Sequence, residues 1–387
     1  MEKSDVKEPL PGLYSRKRPF YATLSHLRLL NHPLSTKENL HITLDLEGSG
    51  IEYSVGSSFG LYPENCPQKV EAILLALQID PNHIVYDKRN EGSLTLRAFL
   101  AKKVNLQSVT SAHLNLVIPS HSRHAEVKQI LSTKEELLSY TSSRDLLSFI
   151  QDFWNPSLEL QHLCDACSPL LPRYYSVASS QKLVGNKVDL MVASFSYPFA
   201  GREEKSVTAS FLKERCAIGQ SKVGLFLMEN PHFSLPMDRR TKVILIGPGT
   251  GLAALRGFLQ EREMQDPLTG GNWLFTGDRN RSTDFYYQEE LLEWEKSGFL
   301  KLSLAFSRDQ EGKHYVQDEM KKHAAELWHW INEGAHIYIC GDAKRMARDV
   351  TLALHEIALE EGGLSEDEAK NFFRHLKKGK RFCQDVY

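Results

Sequence analysis

The sequence predicts a multidomain protein of the α/β plus β class, in which an antiparallel β-barrel with a helical insertion precedes an open parallel α/β domain. Three observations in the 387-residue chain support this. The apolar run 243–246 breaks into a glycine-rich turn and then a helical pattern. Beyond residue 241, strand-like and helical runs alternate, as a parallel sheet with crossover helices requires. Earlier extended runs, separated by Gly, Asn and Ser, are typical of antiparallel strands.

Hydrophobic spacing places the elements of the α/β domain. We expect its strands at 243–246, 272–276, 301–305 and 336–340. We expect its helices at 251–262, 283–296, 315–331 and 344–360.

Hydrophobic spacing also places the barrel and its insertion. Extended runs predict barrel strands at 22–30, 41–46, 51–55, 187–195 and 223–228. Helical spacing predicts the insertion at 66–77, 94–103 and 133–153. The predicted domains are a polar N-terminal tail (1–18), the barrel (19–62 and 154–236), the insertion (63–153) and the α/β domain (237–387).

The charge balance gives no general attraction to nucleic acid or to an anionic membrane. Lys plus Arg number 47 against 49 Asp plus Glu, a net charge of −2. No apolar run reaches the length of a membrane-spanning helix, and residues 1–18 are polar, unlike a secretory signal. We therefore expect a cytoplasmic protein.

Six cysteines lie at positions 66, 164, 167, 216, 340 and 383, without the pattern of a disulfide framework. Cys164 and Cys167 form a lone CxxC, and a structural zinc site needs a second pair or histidines at suitable spacing. We interpret both as ordinary thiols and expect no metal.

The turn after the first α/β strand has the form of an anion site. Gly247, Gly249 and Gly251, with Thr250 between them, present backbone N–H groups and a helix N-terminus to a pyrophosphate. The glycines follow G-x-G-x-G rather than G-x-G-x-x-G, so an ordinary strand-to-helix connection is the alternative.

Residues after the next two strands bear on the choice between NAD and NADP. An acid at the end of the second strand would hold a ribose 2′-hydroxyl, and the chain has Thr-Gly-Asp-Arg at 276–279. The third strand is followed by Ser307 and Arg308, with Lys313 and Tyr315 close behind. A hydroxyl and two cations suit a 2′-phosphate, so we expect NADP. The alternative is that Arg308 and Lys313 are solvated loop charges.

Three further features are candidates for a ligand site. In the Arg-Tyr-Tyr-Ser motif at 173–176, the arginine can pair with a pyrophosphate, a tyrosine can stack on a ring and the serine can bond a ring nitrogen. The alternative is an ordinary strand. Cys340 ends a strand, where α/β domains place ligands, although a buried cysteine more often serves as a small apolar residue. Tyr387 is a terminal aromatic, normally frayed unless it has a flat surface to stack on.

In this order the motifs resemble those of the diflavin reductases, and within that family the flavoprotein (alpha) subunit of NADPH sulfite reductase. Residues 173–176 are similar to its FAD-binding motif, and Gly-Pro-Gly-Thr-Gly at 247–251 to its NADPH pyrophosphate loop. Ser307, Arg308 and 313–317 resemble its 2′-phosphate site. Residues 324–341 and the terminal Asp-Val-Tyr also fit. The resemblance implies a ferredoxin-NADP-reductase-like fold and an NADPH-dependent, FAD-containing oxidoreductase.

The resemblance also implies roles at the flavin. Arg173 would hold the FAD pyrophosphate, Tyr175 would pack on the isoalloxazine and Ser176 would lie beside its N5. Tyr197 would contribute to the pocket, and Tyr387 would cover the opposite flavin face. The remaining implied FAD contacts are Tyr174, Ser206, Val207, Thr208 and Ala209.

At the nicotinamide, the resemblance implies that Cys340 and Asp385, with Ser176, align hydride transfer while Tyr387 swings aside. The implied NADPH contacts are Gly247, Gly249, Thr250, Gly251, Arg256, Ser307, Arg308, Lys313, Tyr315, Gln317 and Asp349.

Three features depart from the family pattern. No flavodoxin-like FMN domain precedes the barrel in this sequence, so we do not expect FMN. Ser206 and Ala209 stand where the family has glycine and Ser or Thr, which predicts lower FAD affinity unless Thr208 or Ser210 compensates. Arg256 is retained, but in Ala-Ala-Leu-Arg rather than Ala-Pro-Phe-Arg.

The expected partner is an electron-acceptor protein: a sirohaem iron-sulfur subunit, or a flavodoxin-like or ferredoxin-like carrier. Nucleic acid and membrane are not expected partners. The basic stretch 374–381 is either a solvated face or a docking surface for an acidic carrier. Two other functions stay open: a stand-alone NADPH:flavodoxin, ferredoxin or cytochrome reductase, and a catalytically degenerate flavin-binding scaffold.

Overall fold

The computed structural model describes residues 14–118, 123–264 and 270–387, so most of the predicted tail 1–18 lies outside the described residues. Its strands are β1 (Phe20–Leu29), β2 (Glu38–Asp45), β3 (Ser58–Tyr62), β4 (Ile84–Asp87), β5 (Gly92–Thr95), β6 (Arg173–Ser176), β7 (Lys187–Ser194), β8 (Ser196–Phe199), β9 (Arg202–Lys205), β10 (Lys222–Met228), β11 (Val243–Ile246), β12 (Asn272–Thr276), β13 (Leu300–Leu304), β14 (His336–Gly341) and β15 (Phe382–Val386).

The helices are α1 (Pro67–Leu77), α2 (Leu96–Lys102), α3 (Ser111–Val117), α4 (His124–Ile130), α5 (Lys134–Ser142), α6 (Leu146–Phe153), α7 (Leu160–Ala166), α8 (Gln181–Val184), α9 (Val207–Arg215), α10 (Leu252–Glu263), α11 (Arg281–Asp284), α12 (Gln288–Lys296), α13 (Val316–Lys322), α14 (Ala324–Asn332), α15 (Met346–Glu360) and α16 (Glu366–Lys378). A 3₁₀ turn, Gly249–Gly251, precedes α10.

The first sheet has six strands in the order β6-β3-β10-β1-β2-β7. Strand β1 pairs antiparallel with both β2 and β10. A single bridge between Val177 and Leu190 links the two edges of the sheet. The predicted barrel is thus an antiparallel sheet whose edges meet at one point rather than along a full strand pair.

The second sheet is parallel throughout, in the order β13-β12-β11-β14-β15. Every residue of the strands β11 and β12 is buried, because apolar clusters cover both faces of the sheet. Ile244 and Ile246 pack on one face, and Val243 and Leu245 on the other. This arrangement confirms the predicted open parallel α/β domain and brings the carboxyl ends of its strands to one edge.

Several boundaries differ from the expectation for local reasons. The predicted strand 51–55 is wrong: the Tyr53 N–H bonds to the Gln181 side chain, and Gly56 turns the chain at φ +90°. The single helix expected at 133–153 is two, because Asp145 caps α6 by accepting from the Ser148 N–H at 2.9 Å. The helix expected at 315–331 likewise divides at His323. Strand β15 and helix α16 were not predicted.

The chain divides into two compact units. Unit 1 contains described residues 14–60, 174–193 and 217–387, and therefore most of the six-stranded sheet and all of the parallel sheet. Unit 2 contains residues 61–173 and 194–216, with most of the helices before α10 and the hairpins β4–β5 and β8–β9.

Unit 2 holds its β8–β9 hairpin through a buried carboxylate. Glu204 in β9 accepts bonds from Lys69, from Arg202 Nε at 2.8 Å and from Gln107 Nε2 at 3.0 Å. Burial alone would raise the pKa of Glu204, but the bonds from Lys69 and Arg202 hold that pKa below its usual value. Gln107 Oε1 in turn accepts from the Tyr197 hydroxyl at 2.6 Å, so the network fixes the side chain of Tyr197.

Unit 2 also buries a histidine whose protonation opposes folding. His113 is fully buried, and burial lowers its pKa from 6.5 to about 4. The unfolded chain therefore binds a proton between those pH values that the folded chain does not. The contribution of neutral His113 to the free energy of unfolding is fully present above pH 6.5 and is lost as the pH falls toward 4. The loss is about 3 kcal/mol at pH 4.

We expect His113→Asn to flatten this acid limb, because asparagine keeps an acceptor for the Thr110 N–H but takes no proton. Urea unfolding of both proteins at pH 7, 6, 5 and 4.5 measures the effect. Parallel profiles for the two proteins would contradict the assignment.

No helix in the described part of the chain combines the length and the apolar character needed to span a bilayer. All six cysteines are free thiols, and Cys164 and Cys167 are both buried. Burial is the main cause of the raised pKa of both thiols, with the pKa of Cys164 at about 12. Across the described residues, no group of His, Cys, Asp and Glu side chains is arranged to hold a metal ion.

Candidate functional site

The glycine turn after β11 packs directly on the end of β14. A Cβ on Gly251 would lie 2.0 Å from the Cys340 carbonyl oxygen, so only glycine fits there. Gly249 has a φ of +61°, and its N–H bonds to the Gly277 carbonyl at 2.8 Å. The turn is therefore pinned between β12 and β14, with the N-terminus of α10 behind it.

A cleft of about 450 Å³ opens at the carboxyl ends of β11, β12, β13 and β14. Its lining includes seven residues that the sequence predicted for the nucleotide: Gly249, Ser307, Arg308, Lys313, Tyr315, Gln317 and Asp349. Five cations line it, Lys37, Arg279, Arg308, Lys313 and Arg345, against the acids Asp278, Asp342 and Asp349. The cleft therefore favours an anionic ligand.

The loop after β13 is fixed to the loop after β12 through backbone bonds. The Ser307 N–H and hydroxyl both donate to the Asp278 carbonyl, at 3.0 and 3.2 Å, and the Arg308 N–H donates to the Arg279 carbonyl at 2.8 Å. The side chains of Arg308 and Lys313 are exposed, and neither has a carboxylate partner among the described residues. Both guanidinium and ammonium groups remain open to a phosphate.

Sequence reasoning missed Lys37 and Arg345. Lys37 comes from the turn between β1 and β2, and its Nζ lies 2.6 Å from Asp278 Oδ1, a contact 241 residues apart along the chain. No local sequence pattern predicts a contact between residues so far apart along the chain. Arg345 precedes α15, after β14, and its position beyond a strand end was a usable signal.

Three segments meet beside the glycine turn. Cys340 and Asp385 are register partners in β14 and β15, and the Ser176 hydroxyl donates to Asp385 Oδ2 at 3.1 Å. Burial is the main cause of the raised pKa of both Cys340 and Asp385, so the thiol stays protonated at neutral pH. Asn230 Nδ2 lies 3.5 Å from the other Asp385 oxygen.

The terminal Tyr387 is held in place. Its N–H donates to the Gly341 carbonyl at 3.1 Å, and its carbonyl accepts from the Ala343 N–H at 3.0 Å, so the β14–β15 ladder continues to the last residue. Its hydroxyl lies 2.8 Å from Thr250 Oγ1, while the residue is 63% exposed. An aromatic face is thus presented beside Cys340, Asp385 and the glycine turn.

Residues 13–211 match the FAD binding domain family, which is more than half of the 387-residue chain. The chain belongs to this family. Residues 245–351 match the oxidoreductase NAD-binding domain. The order of the two domains confirms the predicted fold class, since five of the six strands of the antiparallel sheet lie within residues 13–211 and the parallel sheet carries the nucleotide cleft.

The chain is also similar to curated sulfite reductase [NADPH] flavoprotein alpha-components. It is 38% identical to that of Bacillus subtilis (strain 168) over 377 residues, covering 97% of this chain and 62% of the relative. It is 37% identical to that of Escherichia coli O157:H7 over 385 residues, covering 99% of this chain and 63% of the relative. These matches confirm the resemblance, and the chain spans about three fifths of the length of these relatives.

The FAD contacts implied for unit 1 lie on β6. Tyr174 is 51% exposed and meets the Phe226 ring edge-on, with the ring centroids 6.1 Å apart. Tyr175 and Ser176 are half-buried. A Cβ on Gly60 would lie 2.5 Å from the Phe226 ring, so glycine at this position of β3 lets that ring pack against the strand. The strand therefore presents an aromatic surface of the kind a flavin ring stacks on.

The FAD contacts implied for unit 2 lie at Arg173, Tyr197 and the start of α9. Arg173 is exposed, and among the described residues its guanidinium bonds only the nearby Leu171 carbonyl, at 3.2 Å. Helix α9 begins at Val207, and its N-cap Ser206 makes no side-chain capping bond. The first-turn N–H groups of the helix are therefore available to a phosphate.

The hydroxyls expected to compensate at this helix are otherwise placed. Thr208 Oγ1 is buried without a hydrogen-bond partner among the described residues, so a phosphate oxygen does not reach it without a local shift. Ser210 Oγ donates to the Ser206 carbonyl at 2.6 Å. Ala209 is buried and offers no hydroxyl.

Arg256 does not line the cleft. Its guanidinium forms a bidentate pair with Glu290, at 2.6 and 3.1 Å, and bonds Asp189 Oδ2 at 3.2 Å. It also donates to the Ala178 carbonyl at 2.7 Å and lies over the Tyr287 ring. Within unit 1 it joins α10 of the NAD-binding domain to β7 of the antiparallel sheet.

Part of the basic stretch 374–381 is structural. Arg381 donates to the Ile331 and Ala335 carbonyls, and Lys377 lies over the Phe382 ring at 5.0 Å. Arg374, His375, Lys378 and Lys380 face solvent at the end of α16.

Proposed function

We propose that this chain is an NADPH-dependent, FAD-containing oxidoreductase that transfers hydride from NADPH to FAD and passes the electrons to a separate acceptor. The observation that carries the proposal is the meeting of Ser176, Cys340 and Asp385 beside the glycine turn of a cationic cleft. A nucleotide-binding scaffold has no need of this arrangement, whereas hydride transfer requires two rings held face to face.

The cleft residues divide the work on NADPH. Arg308 and Lys313 supply two cations for the 2′-phosphate, with the Ser307 hydroxyl beside them. The Gly247, Gly249 and Gly251 N–H groups already bond backbone carbonyls, so the turn offers the Thr250 N–H and the positive end of α10 to the pyrophosphate. Gln317 and Tyr315 line the same cleft, as does Asp349 from α15. We assign Thr250 to the turn and leave Arg256 as the residue that links α10 to β7.

Bound FAD would supply the hydride acceptor. We propose that Arg173, Tyr174, Tyr175 and Tyr197 bind it, together with the backbone at Ser206, Val207, Thr208 and Ala209. The uncapped start of α9 and the exposed aromatic surface of β6 fit that group. The hydrogen bond between Ser176 and Asp385 sets which of these groups carries a proton beside the reacting atoms. Cys340 supplies a neutral thiol. Tyr387 shields the site from water until the nicotinamide displaces it.

The acceptor is proposed to be a second protein. The relatives are named as an alpha-component, which supports a further component, and a sirohaem iron-sulfur subunit, a flavodoxin-like carrier and a ferredoxin-like carrier are the candidates. We also propose a cytoplasmic location, which the six free thiols support. The predicted domain boundaries at 62, 153 and 236 stay proposals.

Anaerobic addition of NADPH, and separately of NADH, to the purified protein tests the proposal through the visible flavin absorbance. We expect rapid bleaching by NADPH and much slower bleaching by NADH. A flavin that stays oxidised with both, or a colourless protein that FAD cannot reconstitute, would favour a flavin-binding scaffold. If bleaching occurs, reoxidation by each candidate carrier in turn identifies the acceptor and tests for a stand-alone reductase.

A further inference from the structure

Asp278 places a carboxylate where it opposes the proposed coenzyme. It follows β12 and lines the cleft between the glycine turn and the Ser307 loop. One of its oxygens lies 3.4 Å from the position of a Cβ on Gly249. In dinucleotide-binding α/β domains, an acid after the second strand accepts the ribose 2′-hydroxyl of NAD and repels a 2′-phosphate. The cleft as a whole, by contrast, is cationic.

Both oxygens of this carboxylate are already occupied. Lys37 Nζ lies 2.6 Å from Oδ1, and the Tyr286 hydroxyl donates to Oδ2 at 2.8 Å. The Asp278 side chain is only 3% exposed, whereas Lys37 remains 35% exposed at the cleft. Burial and the nearby Asp278 charge raise the pKa of Tyr286, so this hydroxyl stays a donor.

The turn that carries Lys37 is anchored to the NAD-binding domain. Asn31 Nδ2 donates to Asp284 Oδ1 at 2.7 Å, and Thr36 Oγ1 accepts from Arg279 at 2.8 Å. The Lys37 N–H bonds Ser35 Oγ at 2.9 Å. Lys37 is therefore positioned by several fixed contacts, and its pairing with Asp278 is part of the folded architecture of unit 1.

We propose that Lys37, assisted by Tyr286, masks Asp278 and thereby makes the cleft selective for NADP over NAD. The inference rests on the proposed function and names the residue pair that sets its coenzyme preference. With Lys37 in place the cleft floor is an ion pair of no net charge. Without it, an uncompensated carboxylate faces the bound phosphates and offers its oxygens to the 2′-hydroxyl of NAD.

A competing role for Lys37 is direct contact with a nucleotide phosphate. The two roles differ in what happens when Asp278 is also neutral. If Lys37 acts by masking, its loss matters only while Asp278 carries a charge. If Lys37 contacts the phosphate, its loss costs the same affinity in either background.

A double-mutant cycle on the FAD-loaded protein separates them, with NADP⁺ and NAD⁺ affinities measured by titration calorimetry. We expect Lys37→Met to weaken NADP⁺ binding about tenfold or more, from the charge repulsion across the cleft, and to weaken NAD⁺ binding less. We expect Asp278→Asn to bind NADP⁺ at least as tightly as the wild type. The double variant should recover most of the loss, and Lys37→Arg should retain NADP⁺ affinity.

Lys242→Met is the matched control. Lys242 is 33% exposed and pairs with Glu333 at 2.5 Å, but it does not line the cleft. Lys242→Met removes one charge and one ion pair from the same unit but none from the cleft, so the NADP⁺ and NAD⁺ affinities should both be unchanged. Thermal melting and FAD content report folding. If Lys37→Met folds poorly, Lys37→Gln takes its place in the double-mutant cycle.

The outcomes are distinguishable. Equal NADP⁺ losses from Lys37→Met in both backgrounds, or a tenfold weakening by Asp278→Asn alone, would overturn the masking role while leaving the proposed function intact. Wild-type protein that binds NADP⁺ no more tightly than NAD⁺ would overturn the proposed function and this inference with it.

Discussion

Replacing Cys340 with alanine is expected to slow reduction of the bound flavin by NADPH about 100-fold, with little change in FAD or NADP⁺ affinity. The thiol is buried at the end of β14 beside Asp385, and its raised pKa keeps it neutral. Its removal takes away a contact at the proposed hydride-transfer site, and small displacements of two rings cost rates of this size. Stopped-flow absorbance under anaerobic conditions measures the single-turnover rate.

Cys383 provides a matched control for that variant. It is also buried, lies in the adjacent strand β15 opposite Tyr338, and belongs to the same apolar cluster. Cys383→Ala should lose comparable packing and leave the reduction rate unchanged. Equal rates for Cys340→Ala and the wild type would remove Cys340 from the proposed hydride-transfer site, whatever the FAD content.

Arg256→Met is expected to destabilise the protein by about 3–5 kcal/mol, because it leaves two carboxylates without their cation. Asp189 is buried and loses its bond from the guanidinium at 3.2 Å, and Glu290 loses a bidentate pair. The same change removes the link from α10 to β7. Urea unfolding followed by far-UV circular dichroism gives the free energy.

A triple variant separates the two causes of this instability, which are the lost packing of the Arg256 side chain and the two carboxylates left without a cation. Adding Asp189→Asn and Glu290→Gln to Arg256→Met neutralises both carboxylates, so the triple variant should recover a large part of the loss. A triple variant as unstable as Arg256→Met would show that packing over Tyr287 carries the stability instead. Flavin reduction in surviving folded protein should be close to the wild-type rate, since Arg256 does not line the cleft.

Local pattern was sufficient for the first two strands of the parallel sheet. Strands β11 and β12 have the predicted bounds, because an apolar run of four or five residues between glycines or polar loops has few alternatives. The glycine turn was readable for the same reason: Gly251 is required by close approach to Cys340, and Gly249 by its positive φ. Where a polar residue competes for the backbone, as Asp145 does at α6, a single predicted helix became two.

The flavin side was less predictable. The sequence predicts that a hydroxyl at Thr208 or Ser210 could replace the one missing at Ala209. In the structure the Thr208 hydroxyl is buried, and the Ser210 hydroxyl donates to the Ser206 carbonyl. Sequence spacing identifies which groups are near a helix start and not which way each side chain points.

By itself the sequence determined the class of fold, the order of its two nucleotide-binding domains and seven of the seventeen residues that line the cleft, because these depend on periodicity, on glycine and on cations at strand ends. Only the tertiary structure decided which charges remain available. Arg256 pairs with Asp189 and Glu290, whereas Arg308 and Lys313 line the cleft without a carboxylate partner among the described residues. Lys37 pairs with Asp278, which is 241 residues away along the chain. The reason is physical: an ion pair depends on distance in space, and the folding that sets that distance leaves no local mark on the sequence.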